Sequence, residues 1–394
     1  MMSNKSIGRA LRASSSLCET FSRASLSQQG NSRPFSSTSS RPVHVVAFSP
    51  TSSPELDDVL TTIRNKILLP SYLPQDQRKQ LFSPKHEQKL RQNPITMEID
   101  SEVLRFGHMD LMKDLPNTRK LLYDAVGRMQ TREDFENLPR LLEGLHSAGR
   151  RLQTRDYVRI ARIAAERGCL YTVIESARMA RRTGMRLDAS EKVAEILAYV
   201  QLKAIDASSK GDKAAVAASD KALLWSEMVV DLLQGDLHGR RIPQGQKDDR
   251  FPLHLDPQVL AAPLHMAAQV ATQAHGGKDL DGKVAKYAKD VVSLWPAGKG
   301  LLELHPAQHY DRLGEMHYLT EKNKFVFIAA PLLKGMDLAM EIVSPQLAAE
   351  LKLRRDALAT EVEEALKHVR DDPHVKGRAV YNKLFNPEAA APAA

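Results

Sequence analysis

Apolar residues follow a helical spacing along most of the chain from about residue 117 onward. Tyr157, Ile160, Ala161 and Ala164 fall at i, i+3, i+4 and i+7, and the stretch that begins at Leu170 repeats this spacing. Such a period places the apolar residues on one face of a helix. Besides helices beginning at Thr154 and Leu170, the pattern predicts helices at about 117–128, 133–147, 189–207, 213–234, 257–275, 280–295 and from Pro345 to about residue 370.

Residues 43–94 have no long period, because six prolines interrupt them. One amphipathic helix is predicted there at about 54–68, and we expect this arm to lie across its own domain or across a partner. The apolar positions of the predicted helix are Leu56, Val59, Leu60 and Ile63.

Two further segments have the character of strands. Residues 95–106 alternate in polarity around Asp100-Ser101, which predicts a β-hairpin. The apolar run at 325–333 fits either a buried strand or a helix. The hairpin is therefore the one convincing strand signal before residue 320.

The low aromatic content agrees with a helical protein. Aromatic residues make up 5% of the chain, which favours packed helices over a β-sandwich. We predict a mainly all-α fold of α-solenoid-like helical hairpins, with an extended N-terminal arm and at most a small β-hairpin. The predicted parts are a mitochondrial transit peptide at 1–42, the arm at 43–116, a helical-repeat domain at 117–234, a linker or loop at 235–256, a C-terminal helical domain at 257–386 and a disordered tail at 387–394.

The N-terminal segment has the composition of a mitochondrial transit peptide. Residues 1–42 contain six basic residues, one acidic residue and thirteen serines. RPFSSTSSRP at 33–42 also resembles a presequence processing site, with Arg, then Phe two residues later, then Ser or Thr. We predict cleavage between residues 35 and 43, and the alternative is an ordinary disordered tail.

Removal of this segment changes what the charge implies. The chain has a formal net charge of +8, and residues 1–42 supply six positive charges less one negative charge, so about +3 remains. Global charge then does not indicate nucleic-acid binding, and only a local cluster can.

The segment also contains Cys18, which leaves Cys169 as the single cysteine of the remaining chain. This excludes an intramolecular disulfide and a cysteine-based zinc site there. No strongly apolar run reaches the roughly 18–20 residues that a membrane span needs, so no span is predicted.

The stretches at 147–157 and 182–192 match each other at a distance of 35 residues, and the match aligns Gly149 with Gly184. A helix–turn–helix unit of this length resembles the pentatricopeptide repeat family, and less closely the 34-residue tetratricopeptide repeat. Glycine suits a turn or a helix end, where the backbone is left-handed. Within the unit at 155–189, the positions that match the family are Tyr157, Gly168, Gly184 and Asp188.

The neighbouring units match less well. The unit at 120–154 keeps Gly149 but has Glu133 at the place of the middle glycine. The fifth position, which discriminates bases in sequence-reading members of the family, is Arg159, and it is Asp124 in the preceding unit. The resemblance therefore implies an α-solenoid and mitochondrial RNA metabolism, without base-by-base reading.

Residues 150–186 contain ten arginines, no lysine and three acidic residues, a local charge of ten less three, or +7. A solvated helix normally mixes charges of both signs, and arginine suits bidentate contacts with phosphates or carboxylates. We predict contact with the phosphate backbone of RNA, ribosomal RNA above all; the alternatives are an acidic protein partner and a solvated face. The predicted RNA-binding residues are Arg150, Arg151, Arg155, Arg159, Arg162, Arg178, Arg181, Arg182 and Arg186.

Other chemistry has weaker signals. GKDLDGKV at 277–284 nearly matches a phosphate-binding loop, but Val284 replaces the Ser or Thr that would hold magnesium. The stretch 305–317 holds three histidines and Glu315, without a spacing that fixes a metal site. We predict no catalytic residues, no cofactor and no metal.

These patterns together predict a non-catalytic protein of the mitochondrial matrix that binds RNA and protein in mitochondrial gene expression. The most concrete form of this prediction is a structural or accessory component of the mitochondrial ribosome, with mitochondrial ribosomal or other matrix proteins as partners. One alternative is a free pentatricopeptide-like factor for transcript maturation or translational activation. A second alternative is a scaffold for respiratory-complex assembly that binds no RNA.

Overall fold

The computed structural model describes residues 45–99, 102–207, 212–240, 250–372 and 374–386. Helices dominate this part of the chain, and its sheet consists of two strands. The predicted mainly α-helical fold is therefore confirmed. The transit peptide, the C-terminal tail and the hairpin turn at Asp100-Ser101, as predicted from the sequence, lie outside the described residues.

The N-terminal arm starts as an extended segment and continues as helices. The Ser53 hydroxyl caps the first helix by accepting a hydrogen bond from the Leu56 amide. The helix predicted at 54–68 is confirmed, although a π turn forms its second part. The three short helices that follow were not predicted, because none of them has a full apolar period. The elements are α1 at Pro54–Ile63, the π turn at Arg64–Leu68, α2 at Leu69–Tyr72, α3 at Gln75–Leu81 and α4 at Glu87–Gln92.

The predicted β-hairpin is also confirmed. Strands β1, Ile95–Ile99, and β2, Glu102–Phe106, are antiparallel, with Met97 opposite Leu104. Leu104 is buried in a small apolar cluster with Leu81 and other residues of the arm. The hairpin and the short helices of the arm thus share a minor core.

Residues 118–233 form successive helical hairpins. One layer contains α5, α8 and α11 side by side, and a second layer contains α7, then α9 with α10, then α12. The predicted helices are present, and the one predicted at 133–147 restarts at Asn137, close to Pro139. These helices are α5 at Thr118–Arg128, α6 at Arg132–Phe135, α7 at Asn137–Ser147, α8 at Thr154–Glu166, α9 at Leu170–Arg178, α10 at Ala180–Thr183, α11 at Ser190–Ala207 and α12 at Asp212–Leu233.

The C-terminal part is helical throughout its regular structure. The ambiguous run at 325–333 lies in a helix and is buried along its whole length, so it shows no polar face. Helices α11, α13, α16 and α17 pack against this helix. The last helix was not predicted. The helices are α13 at Pro257–His275, α14 at Lys283–Leu294, α15 at Lys322–Ile342, α16 at Pro345–Lys367 and α17 at Lys376–Phe385.

One apolar core connects the two sides of the predicted linker at 235–256. Leu197 of α11, Leu264 of α13 and Phe327 of α15 belong to the same buried cluster, and α13 packs against α11, α12 and α15. The described parts of the linker contain short 3₁₀ turns. The predicted domain limits themselves stay a prediction.

The extended segment before α1 is bound to the first helical hairpin. We call residues 45–53 the N-terminal strap. Asn137, at the start of α7, accepts a hydrogen bond from the Ser49 amide at 2.8 Å and donates one to the Ser49 carbonyl at 3.0 Å. Through these two hydrogen bonds, Asn137 pairs with the Ser49 backbone as a neighbouring β-strand would. Helix α1, which follows the strap, packs against α5.

A buried carboxylate provides the second attachment of the strap. Asp134 has no exposed surface, and it accepts hydrogen bonds from the amides of Ser52, Gln130 and Thr131 and from the Ser52 hydroxyl, at 2.7–3.0 Å. Burial acts to raise the pKa of Asp134, but these donors lower it more, to about 2.

We predict that Asp134→Asn lowers the free energy of unfolding by about 2 kcal/mol at pH 7. Because the pKa is about 2 in the folded state and about 3.9 in the unfolded state, the carboxylate stabilises the fold fully above the unfolded value. That contribution is lost as pH falls through the folded value, so roughly half should remain at pH 3. Urea unfolding at pH 7 and pH 3 measures the difference in the free energy of unfolding between variant and wild type. The control is Glu133→Gln at the exposed neighbouring residue. Equal losses in the two variants would contradict the role of Asp134.

Glycines with a left-handed backbone follow α7 and α10. Gly149 has a φ of 70° and Gly184 a φ of 71°. A Cβ at Gly149 would meet no heavy atom within 4 Å, whereas one at Gly184 would lie 2.5 Å from Nδ1 of His146. The two positions therefore share a backbone conformation and differ in how closely a neighbouring helix approaches.

We predict that Gly149→Ala lowers the free energy of unfolding by about 1 kcal/mol because of the left-handed backbone alone, and that Gly184→Ala lowers it by about twice as much. The additional loss comes from the contact with His146, so His146→Ala should remove most of it when combined with Gly184→Ala. Thermal or urea unfolding of the four variants measures these differences. Equal losses for the two glycine variants would contradict the close approach.

Candidate nucleic-acid interface

The unit at 155–189, which was predicted to resemble a pentatricopeptide repeat, contains a hairpin of α8 and α9. The predicted apolar face of each helix is buried in the core. Because these faces point inward, the remaining positions of the two helices carry the exposed charges. The buried residues are Tyr157, Ile160, Ala161 and Ala164 on α8, and Leu170, Val173, Ile174 and Ala177 on α9.

A buried carboxylate fixes the start of α8. Asp156 has no exposed surface and accepts a hydrogen bond from the Gln153 amide at 2.7 Å. From α5, the Tyr123 hydroxyl donates to Asp156 at 2.5 Å, and Arg119 forms an ion pair with it at 3.0 Å. Burial, and then the hydrogen bond to Asp156, raise the pKa of Tyr123, which keeps its hydroxyl a donor.

Arg155, Arg159 and Arg162 lie exposed at i, i+4 and i+7 along α8, and we call them the α8 arginine stripe. The Arg159 guanidinium lies 4.0 Å from the centre of the Tyr123 ring, in a cation–π contact. Within the described ranges, none of the three has a carboxylate within 4.0 Å. Three uncompensated cations therefore share one face of a helix whose position is fixed.

The second arginine group consists of Arg178, Arg181 and Arg182, which belong to α9 and α10 and hence to the other helical layer. Arg178 pairs with Glu175 at 2.9 Å. Arg182 donates two hydrogen bonds to Glu143 of α7, at 2.9 and 3.0 Å. The structure thus places the predicted RNA-binding residues in separate groups, and acidic neighbours compensate two of the three cations in this one.

The remaining predicted residues lie in the connections between helices. Arg150 and Arg151 precede α8, and Arg186 precedes α11. Arg151 is exposed, while Arg150 and Arg186 are half-buried. These connections follow the left-handed glycines that the 35-residue match aligns, so Arg151 and Arg186 occupy equivalent places in successive units.

The structure adds one exposed cation that was not predicted from the sequence. Lys120 on α5 is exposed and stands 35 residues before Arg155, so the repeat register could have indicated it. Asp124, which precedes Arg159 by the same distance, pairs with Arg128 at 2.8 Å. The negative charge of Asp124 is therefore compensated within its own helix.

The stretch that resembles a phosphate-binding loop forms the turn before α14. The Asp279 carboxylate accepts hydrogen bonds from the amides of Val284 and Ala285, at 3.2 and 2.9 Å. Lys283 pairs with Glu227 at 2.7 Å. A carboxylate of the chain itself thus occupies the place that a phosphate would take.

In the histidine-rich stretch at 305–317, His305 and Glu315 have different partners. His305 is buried with its Nε2 atom 3.2 Å from Asp256, whereas Glu315 pairs with Arg240 and Arg250. The described residues contain no group of three or more His, Cys, Asp or Glu side chains arranged to hold a metal ion. Burial raises the pKa of the Cys169 thiol, so it is not activated as a nucleophile.

None of the described helices is both long enough and apolar enough to cross a membrane.

Comparisons with known proteins point to one family. Residues 33–383 match a family model described as mitochondrial ribosomal protein mS27. The chain is also 34% identical over 359 residues to a protein of Neurospora crassa named small ribosomal subunit protein mS27, a match that covers 86% of this chain and 88% of that protein. The family match includes the strap, the β-hairpin and both arginine groups.

Proposed function

The chain belongs to the mitochondrial ribosomal protein mS27 family, and from this membership we propose which subunit it joins and how it is held there. It is a structural component of the mitochondrial ribosome. We assign it to the small subunit, because the Neurospora crassa relative carries that name. Its place is then the mitochondrial matrix and its role is non-catalytic.

The proposed mechanism is the positioning of helices against ribosomal RNA by contacts to phosphates. The observation that carries it is the α8 arginine stripe, in which Arg155, Arg159 and Arg162 are exposed and have no acidic partner among the residues that the structure describes. Each guanidinium can donate two parallel hydrogen bonds to one phosphate. Neutralising phosphates also releases counterions, which favours binding in any sequence context.

The contacts behind the stripe support this assignment. Asp156 holds α8 against α5 through Tyr123 and Arg119, and the Arg159 guanidinium packs on the Tyr123 ring. A positioned cation loses less conformational entropy on binding than a free one. Arginines on such a helix therefore provide an ordered surface for a folded RNA.

The likeness of unit 155–189 to a pentatricopeptide repeat is part of the proposal. The left-handed glycines and the stacking of helices in two layers support it. Because Arg159 and Asp124 replace the small polar residues of sequence-reading units, we propose contact with the RNA backbone without base reading. A free transcript factor and a respiratory-complex scaffold, the alternatives predicted from the sequence, have no comparable support.

We predict that changing Arg155, Arg159 and Arg162 together to Glu prevents stable association with the small subunit. The physical reason is that three phosphate contacts become three repulsions. In sedimentation of mitochondrial extracts with magnesium, the variant should shift from the subunit to the top of the gradient. A second measurement uses the purified protein and a ribosomal RNA fragment. Changing the same three residues to Gln should make the fall of log K with log salt concentration less steep, by about 2 in the slope.

The control reverses Lys286, Lys289 and Lys352, three exposed residues of α14 and α16. It makes the same change in net charge and should leave both measurements near wild type. Circular dichroism checks that each variant is folded. An unchanged salt slope combined with loss of association would indicate an acidic protein partner for the stripe instead of RNA.

A further inference from the structure

A cavity of about 500 Å³ opens beside the repeat unit, at a place that the function proposed above does not use. Residues of α8, α9, α11, α12, α15 and α17 line it, together with the turn between α8 and α9. Its walls are largely aliphatic or aromatic, with Leu170, Leu202, Phe327 and Val380 among them. This volume is typical of a site that receives a small ligand or a few residues of a peptide.

The cavity is lined by more positively than negatively charged side chains. Lys376 pairs with Glu166, and Lys383 pairs with Asp206 at 2.6 Å. The fifth charged group is Lys203, and within the described residues no carboxylate lies within 4.0 Å of it. Three lysines against two acids leave one positive charge in the cavity.

Lys203 is held in place although it has no acidic partner. Its ammonium lies 4.5 Å from the centre of the Trp225 ring, and its side chain is half-buried. Burial, and then the neighbouring Lys221, lower the pKa of Lys203. A carboxylate brought to this position would restore the stability of the charged amine.

We propose that this cavity receives a peptide segment of a neighbouring mitochondrial ribosomal protein, whose single carboxylate pairs with Lys203 while aliphatic side chains cover the apolar walls. The inference rests on the proposed function, because the neighbour is a protein of the same subunit. The segment would fit between the two ion-paired lysines of α17, so that helix forms one side of the docking site.

The chemistry of the cavity favours a peptide over RNA. Phosphates bind best to a continuous cationic surface, whereas Glu166 and Asp206 stand at this site and would repel them. An apolar centre with a polar rim is the composition of a protein interface. The single uncompensated charge matches one carboxylate and not a chain of phosphates.

The test compares the reactivity of Lys203 in the purified protein and in the purified small subunit. Amine acetylation by N-hydroxysuccinimide acetate, followed by mass spectrometry, should be about tenfold slower at Lys203 in the subunit, because a paired carboxylate raises the pKa of the amine by about one unit. Treatment of the subunit with a water-soluble carbodiimide should then join Lys203 by an amide bond to an Asp, Glu or C-terminal carboxylate of another protein.

Lys221 is the matched control, because it is exposed, lies close enough to Lys203 to affect its pKa, and does not line the cavity. Lys203→Glu should abolish the cross-link and loosen the partner protein at moderate salt, whereas Lys221→Glu should do neither. The Lys203→Glu variant should still join the subunit, because the α8 arginine stripe is unchanged. Loss of the cross-link therefore tests the cavity, and loss of association with the subunit tests the proposed function.

Three results would overturn the inference. Equal reactivity of Lys203 in the free protein and in the subunit would mean that the cavity is empty. Protection that RNase removes would assign the cavity to RNA. A cross-link found only within this chain, or between two copies of it, would assign the cavity to the chain itself.

Discussion

The fold depends on one constraint, which is that a helical hairpin cannot bury its apolar faces by itself. Each hairpin of residues 118–233 covers the next one, with α5, α8 and α11 in one layer and α7, α9 and α12 in the other. Stacking fixes which side of each helix is buried, and the polar side is then exposed by necessity. The α8 arginine stripe is a consequence of this packing, because Tyr157 and Ile160 occupy the inner positions of α8.

Polar contacts set the precise placement that apolar packing leaves open. Two buried carboxylates, Asp134 and Asp156, each cap the start of a helix and also bind a separate element, namely the N-terminal strap and α5. A buried carboxylate requires several donors in the correct geometry. The contacts therefore allow few alternative arrangements of the first two hairpins, and the proposed RNA surface inherits that rigidity.

Local sequence was sufficient where the structure depends on local spacing. The buried faces of α8 and α9, the β-hairpin and the glycine-terminated helices could be predicted because each needs only a period or a turn residue. The helix α17 could not, since it is held by packing against α15, where Val380 is buried, and by ion pairs of Lys376 and Lys383, all with partners far away in sequence. For the same reason, the separation of the arginines into two layers and the pairing of Arg182 with Glu143 follow only from tertiary packing.

The N-terminal strap has a consequence for the growth of the helical array. An array of stacked hairpins presents an unsatisfied surface at each end, onto which a second copy could stack. Here the strap and α1 occupy the outer side of the first hairpin, with Leu56 and Leu60 buried. At the other end, α13 and α15 cover α11. Within the described residues, the chain's own elements cover both ends, so less apolar surface is left on which a second copy could stack.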